Sequence, residues 1–346
     1  VRWAPSFLAV AALASGCALD PDYGATHFRC EATADCPGGF TCDGKECRPG
    51  GGDGAPSAAF TSEASFLLVS LDASSSAGDI DSYAWTFGDD TTGTGVTISH
   101  TYDAAGTYQV TLTVTDQDGD VDSISNQVTV TMPPAPLARD TFERTVDLGW
   151  GTAAIGGAWS LSGTSDLWEV ADGAGRVDVA AGVGPAANLD QVIADSVDVT
   201  LAFSVDEIST GSGLYAGILG RRVAGIGSYS LTPVLKPDQS VTITLAVHVG
   251  DTDTTLESMS VPGLAYQAGS VIRARLQVFG ANPTTLRGRL WADGEEEPGE
   301  WQLTTEDSTA ELQADGNIGV NPYLSSGATN GPIQVAIHEL LAVPVE

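Results

Sequence analysis

The chain has 346 residues and a formal net charge of −31, with 14 basic side chains against 45 acidic ones. That balance argues against nucleic acid as a partner, because phosphate binding needs clustered Lys and Arg. Charged residues make up 17% and apolar residues 42%, a composition that supplies folded cores, and the length suits two or three domains. Between Arg48 and Arg139 there is no Lys or Arg. A surface so acidic repels itself, which salt or divalent cations relieve; solubility alone is the other reading of the acidity.

The first element is a leader. Arg2 precedes the apolar run from Phe7 to Leu13, and Ala14-Ser15-Gly16 then places small residues directly before Cys17. The run is too short to span a bilayer and follows signal-peptide order. Residues 1–17 resemble the lipobox of bacterial lipoproteins, with Ala14 where Leu is usual and Leu13 one place early. The resemblance implies an acylated Cys17 at the start of the mature protein, with the lipid bilayer as partner. Several acyl chains anchor stably where one would not. Ala18 lacks the Asp that retains some lipoproteins in the inner membrane, so the analogy points to the outer membrane or the cell surface. The alternative is a soluble secreted protein in which Cys17 is incidental.

Residues 18–48 comprise a tether and a short segment holding Cys30, Cys36, Cys42 and Cys47. A segment this small buries too little to fold unaided and needs staples. Two disulfides are expected, with Cys30–Cys42 and Cys36–Cys47 favoured by spacing over the other pairings. The segment contains no C-x-x-C pair of the kind that four-thiolate zinc sites prefer, and export also disfavours zinc thiolates. It resembles the cysteine-rich segments that follow the anchor in myxobacterial lipoproteins. Residues 49–55 form a Gly-rich linker.

Residues 56–131 read as short strands. Phe66-Leu67-Leu68-Val69 is a buried-strand run, Tyr83, Trp85 and Phe87 alternate onto one face, and Tyr108, Val110, Leu112 and Val114 repeat the period of two. This pattern predicts an immunoglobulin-like sandwich with Trp85 at its centre. Leu71-Asp72-Ala73-Ser74-Ser75, Tyr83-Ala84-Trp85-Thr86-Phe87-Gly88-Asp89, His100-Thr101-Tyr102 and Gly106-Thr107-Tyr108-Gln109-Val110 resemble a PKD domain, in order and with fitting spacing. The resemblance implies a seven-stranded extracellular spacer or adhesive module and no chemistry.

A Pro-rich linker, 132–137, leads to residues 138–346, again without helical periodicity. Val199, Leu201, Phe203 and Val205 alternate with polar or small residues, as do Val241, Ile243, Leu245 and Val247, and Ile272, Ala274, Leu276 and Val278. Turns are expected at Asp172-Gly173, Pro237-Asp238 and Asp293-Gly294. Arg139-Asp140-Thr141-Phe142, Gly156-Gly157-Ala158-Trp159, Leu286-Arg287-Gly288-Arg289-Leu290-Trp291 and Ile337-His338-Glu339-Leu340 together resemble concanavalin-like jelly rolls of the LamG and glucanase type. The expected fold class is therefore all-β, with a small disulfide segment, a PKD sandwich and a larger jelly roll.

Three acidic sets are candidates for structural calcium. Asp116, Asp118, Asp120 and Asp122 alternate around Gly119, an arrangement that can wrap a hard cation or simply make a solvated turn. Asp72, Asp79 and Asp81 form a second set. The jelly-roll resemblance implies a calcium shared by Asp140 and a closing Asp, although His338-Glu339 stands where that second Asp is expected. Tyr215, Arg221, Arg222, Tyr229 and His248 are the candidates for lining the concave face of a jelly roll. Aromatic rings stack on sugars and Arg orients hydroxyls or carboxylates, whereas core packing and charge neutralisation are the structural uses of the same residues.

No catalytic pattern emerges. Glu295-Glu296-Glu297 sits in a Gly- and Pro-flanked turn, His338-Glu339 lacks a second metal-binding His, and there is no G-x-S-x-G elbow. The sequence thus leads to a non-catalytic surface lipoprotein that displays a carbohydrate-binding jelly roll on a PKD spacer. A structural or adhesive protein with a protein partner is the alternative, and a glycan hydrolase or lyase the third reading.

Overall fold

The computed structural model describes residues 55–345 and, before them, Cys36 and three short strands: β1 (Phe28–Arg29), β2 (Phe40–Cys42) and β3 (Glu46–Pro49). The three pair antiparallel in the order β1-β3-β2. The Cys36–Cys47 disulfide forms as its spacing suggests, across a Cα separation of 5.5 Å. Cys42 faces Cys47 in the strand register and is itself disulfide-bonded. The expectations for Cys17 and Cys30 lie outside the described residues. The chain divides into two compact units at Pro133/Pro134. Among the described residues no helix is long and apolar enough to cross a membrane.

Unit 1 carries β4 (Thr61–Ser65), β5 (Leu68–Asp72), β6 (Ile80–Thr86), β7 (Thr92–Thr94), β8 (Thr97–Thr101), β9 (Gly106–Asp116) and β10 (Val121–Val130). They form two antiparallel sheets, β4-β5-β8 and β10-β9-β6-β7. The period-two residues Val69, Leu71, Val110, Leu112 and Val114 are fully buried between them. Trp85 lies at the centre, edge-on to Phe60 at 5.0 Å, and its Nε1–H donates to the Gly95 carbonyl at 2.9 Å. Tyr102 Oη donates to the Phe87 carbonyl at 2.8 Å. Between Phe87 and Asp89 the chain needs glycine: Gly88 has φ +82°, and a Cβ there would lie 2.7 Å from the Gln109 carbonyl oxygen.

Unit 2 contributes fifteen strands. The first five are β11 (Ala138–Asp140), β12 (Ser160–Leu161), β13 (Trp168–Ala171), β14 (Ala174–Val179) and β15 (Ala187–Ala194). Five longer ones follow: β16 (Val197–Val205), β17 (Leu214–Val223), β18 (Gly227–Leu235), β19 (Ser240–Val249) and β20 (Thr252–Ala265). The last are β21 (Ile272–Phe279), β22 (Thr284–Ala292), β23 (Leu303–Asp307), β24 (Gly316–Leu324) and β25 (Ile333–Val343). An eight-stranded sheet runs β13-β14-β25-β16-β21-β22-β23, with β11 added on β25; a seven-stranded sheet runs β12-β15-β24-β17-β18-β19-β20. The expected alternating residues of β16, β19 and β21 meet in one continuous core. Asp172-Gly173 and Pro237-Asp238 do make the tight connections β13–β14 and β18–β19. Asp293-Gly294 instead opens a long loop to β23.

At one end Trp150 packs edge-on against Phe142, Trp159 and Trp168 at 4.9–5.3 Å. Asp140 holds this cluster. It is 1% exposed, and its carboxylate accepts from Phe142 N–H (3.0 Å), Arg144 Nη1 and Nη2 (2.6 and 2.8 Å) and Trp159 Nε1 (2.8 Å). In this structure Asp140 is paired with a guanidinium: Arg144 supplies the positive charge that the expected calcium would have supplied.

The other acidic sets are also engaged locally. Asp116 Oδ1 accepts the N–H groups of Asp118 and Asp120, Asp122 Oδ2 accepts Ala58 N–H, and Asp72 Oδ1 accepts Ser74 N–H. The Ser74 hydrogen bond holds the Asp72 carboxyl below its ordinary range. Asp79, Asp81, Asp118 and Asp120 are exposed. These are turn-forming carboxylates, and among the described residues no three acidic, His or Cys groups converge as a metal site would require.

Candidate functional site

Strand alternation divides the seven-stranded sheet into a core face and an outer face. In β17, Leu214, Ala216 and Ile218 enter the core, so Tyr215, Gly217 and Leu219 face out. In β24 the core takes Ile318, Val320 and Leu324 and leaves Asn317, Gly319, Asn321 and Tyr323 outside. In β15 Ala187 and Leu189 point in, and Asn188 and Asp190 point out. Ser230, Thr232 and Val234 of β18 and Thr242, Thr244, Ala246 and His248 of β19 continue the outer face.

Register brings these residues into rows. Tyr215 lies opposite Tyr323, their rings 5.8 Å apart and tilted by 59°. Gly217 lies opposite Asn321, and Gly319 lies between Asn188 on β15 and Leu219 on β17. A Cβ on Gly217 would collide with Asn321 Oδ1, and one on Gly319 with Asn188 Oδ1. The two glycines therefore let two carboxamides lie across the sheet floor. Asn188 is 8% exposed, and its Oδ1 has no protein hydrogen-bond partner.

Within the strands of this face, charge is confined to the end away from the tyrosine pair. Asp190 Oδ1 accepts from Asn317 Nδ2 at 2.8 Å and from Arg222 Nη1 at 3.4 Å. Across the sheet, Ser230 Oγ and His248 Nε2 are 2.8 Å apart, and His248 Nδ1 contacts Asp253. A carboxylate only accepts, so Nδ1 carries a hydrogen toward Asp253, and the Nε2–Ser230 Oγ bond lies on the other side of the ring. This is the order of a hydrolase triad, but Ser230 is 0% exposed in mid-strand. Among the expected ligand-facing residues, Tyr215, Arg222 and His248 reach this face together.

Tyr229 and Arg221 do not reach it, and the expectation for them is corrected. Tyr229 shares the parity of Leu231 and Leu235 and is 0% exposed. Its hydroxyl donates to Asp307 at 2.9 Å and accepts from Gln313 Nε2 at 3.1 Å. Burial pushes the phenol up to about 12. Arg221 is turned inward by a β-bulge between Gly220 and Val223, at φ +46°, so that adjacent arginines point opposite ways. Its guanidinium donates to Thr284 Oγ1 at 2.6 Å and to the Asp195 and Gly280 carbonyls, and burial lowers its pKa. Asn188, Asn317, Asn321 and Tyr323 were not anticipated; the alternating string Asn317-Ile318-Gly319-Val320-Asn321-Pro322-Tyr323 is the signal that marks three of them.

With this geometry in place, comparison with known proteins gives the following. Residues 54–132 match the family model of the PKD domain. The pre-pro-metalloprotease PrtV of Vibrio cholerae is 41% identical over 95 residues, 27% of this chain and 10% of that protein. The chain thus spans about a tenth of the curated relatives it matches. The PKD1 domain of Vibrio anguillarum Epp is 33% identical and covers 23% of this chain and 99% of its own, with a TM-score of 0.23. A mutant of alginate lyase Aly36B in complex with alginate trisaccharide is 11% identical and covers 61% of this chain and 100% of its own, with a TM-score of 0.43. Unit 1 thus carries a PKD domain of immunoglobulin-like fold. Unit 2, by its own two facing sheets, is an all-β jelly-roll sandwich.

Proposed function

We propose that this protein is a non-catalytic, glycan-binding surface protein. The jelly roll grips a polysaccharide on the outer face of its seven-stranded sheet, the PKD domain serves as spacer, and acylated Cys17 anchors the chain to a bilayer. One observation carries the binding reading: the Tyr215–Tyr323 pair stands beside a glycine-opened floor in which Asn188 keeps a buried acceptor without a protein partner. A buried unpaired acceptor costs about 1–3 kcal/mol. A sugar hydroxyl that met Oδ1 as the Asn188 carboxamide turned off the Gly319 floor would offset that cost, and the tyrosine rings supply apolar surface for the pyranose faces.

Retention of the full chain on immobilised polysaccharides, screened on a glycan array, tests this reading. Tyr215→Ala and Tyr323→Ala should each weaken binding about tenfold, as loss of an aromatic anchor costs about 1–2 kcal/mol. Unchanged retention in both variants would move the site elsewhere. Cys17→Ser should shift the protein from the membrane to the soluble fraction; continued membrane retention would remove the anchor from the account.

A hydrolytic reading is favoured by the Ser230–His248–Asp253 line alone. It requires Ser230 to become exposed, and it predicts ester or glycan turnover that Ser230→Ala abolishes.

A further inference from the structure

We infer that the polymer this face takes is uncharged, a neutral hydroxyl-rich polysaccharide in preference to a polyuronate or a sulfated glycan. The inference rests on the glycan-binding reading and adds the ligand's charge class to it. Three observations support it independently.

The first is the state of the basic side chains in the strands of this face. Arg222 lies against Asp190 and Asn317, and His248 Nδ1 is held by Asp253. Each of these two has an acidic partner and stands in the end row; Lys236, just past β18 at the tyrosine end, has Asp238 near it. The rows between that end row and the tyrosine pair carry amides, hydroxyls and glycines, with Leu219 and Ala246 among them.

The second is the polarity of the unmet group. Asn188 Oδ1 is an acceptor and requires an O–H or N–H donor. A sugar hydroxyl provides one, whereas a carboxylate or sulfate at neutral pH has acceptors only. An anionic group at that position would add a second unsatisfied acceptor, and its own desolvation, to the same buried site.

The third is the field of the molecule. A net charge of −31 repels a polyanion before contact, and no basic patch on this face reverses that sign locally. Arginines are concentrated on the opposite sheet, where Arg273, Arg275 and Arg289 pair with Asp293, Asp198 and Glu297.

The experiment compares the full chain with neutral polymers (β-1,4-glucan, β-1,3-glucan and mannan) and with alginate and polygalacturonate by affinity electrophoresis and calorimetry. Each is run at low and high NaCl. The expected result is at least tenfold preference for a neutral polymer, with an affinity that does not change with salt. Asn188→Ala separates recognition from folding. Removing a buried acceptor that lacks a partner should leave the melting temperature equal or higher, while affinity for the neutral polymer falls about fivefold or more. Tighter binding of a polyuronate, weakened by salt, would overturn the neutral assignment and leave the glycan reading standing; equal affinity for both classes would overturn it as well. Retention of neither class would sink the glycan reading itself.

Discussion

Asp140→Ala is a severe single change outside the binding face. It removes one carboxylate, 1% exposed, that accepts four hydrogen bonds, two of them from Arg144 and one from the Trp159 indole. Afterwards Arg144 keeps only the Trp150 carbonyl, and the Trp159 N–H is left buried with no acceptor. Breaking a buried charge pair from one side costs about 3–5 kcal/mol, because the remaining charge stays desolvated. In a unit of this size each kcal/mol moves the midpoint by about 2–4 °C, so a fall of roughly 6–20 °C is expected in the unit 2 transition. Asp140→Asn should cost less, since it keeps an acceptor oxygen but turns an amide N–H toward the guanidinium. Calorimetry gives the midpoint, and near-UV circular dichroism reports the Trp150, Trp159 and Trp168 packing. A midpoint within 2 °C of the parent would refute the clamp assignment. So would stabilisation of the parent, but not of Asp140→Ala, by calcium beyond an ionic-strength control, because Asp140 would then be a metal ligand.

Burial raises the phenols of Tyr102 and Tyr229 from 10 to about 12. The folded state then holds protons that the unfolded chain has released, so stability is intact below pH 10 and declines as the pH rises from 10 toward 12. Tyr229→Phe should flatten that decline for unit 2, which alkaline urea titration would register; an unaltered slope would refute the assignment. Calcium should raise the melting point of the PKD unit no more than equal ionic strength does, because Asp116 is occupied by the turn N–H groups. An excess over that control would place a metal there. Arg275 and Arg289 lie directly opposite each other on β21 and β22, bridged by Glu297 from the loop that follows Asp293. Glu297→Gln should therefore destabilise unit 2 by about 1–3 kcal/mol in urea melts, less at high salt, and a neutral outcome would mean the bridge holds nothing.

The fold was readable because its signals are local. The aromatic alternation at Tyr83, Trp85 and Phe87 and the β9 repeat each lie within one strand, and the PKD motifs occur in chain order. Parity also separates the two tyrosines in retrospect: Tyr229 keeps step with Leu231 and Leu235, whereas Tyr215 is out of step with Leu214 and Ile218. What was not legible depends on register between distant strands. Asn188 and Gly319 meet only because β15 pairs with β24, and Gly217 meets Asn321 only because β24 also pairs with β17. The opposite fates of Arg221 and Arg222 come from a bulge at a non-glycine residue with positive φ, which no composition rule marks. Asp140 draws its partners from four and nineteen residues away, so its carboxylate looks like a metal ligand until Arg144 and Trp159 are placed around it.

Carbene footprinting of the full chain, with and without a neutral polysaccharide that it retains, tests the central claim most directly. Binding on the outer face of the seven-stranded sheet predicts loss of labelling at Tyr215, Asn321 and Tyr323, with labelling unchanged at Arg287 on the opposite sheet and at Trp301, whose ring lies against Arg275 and Arg289 there. Protection of Trp301 and Arg287, with Tyr215 and Tyr323 still labelled, would contradict it.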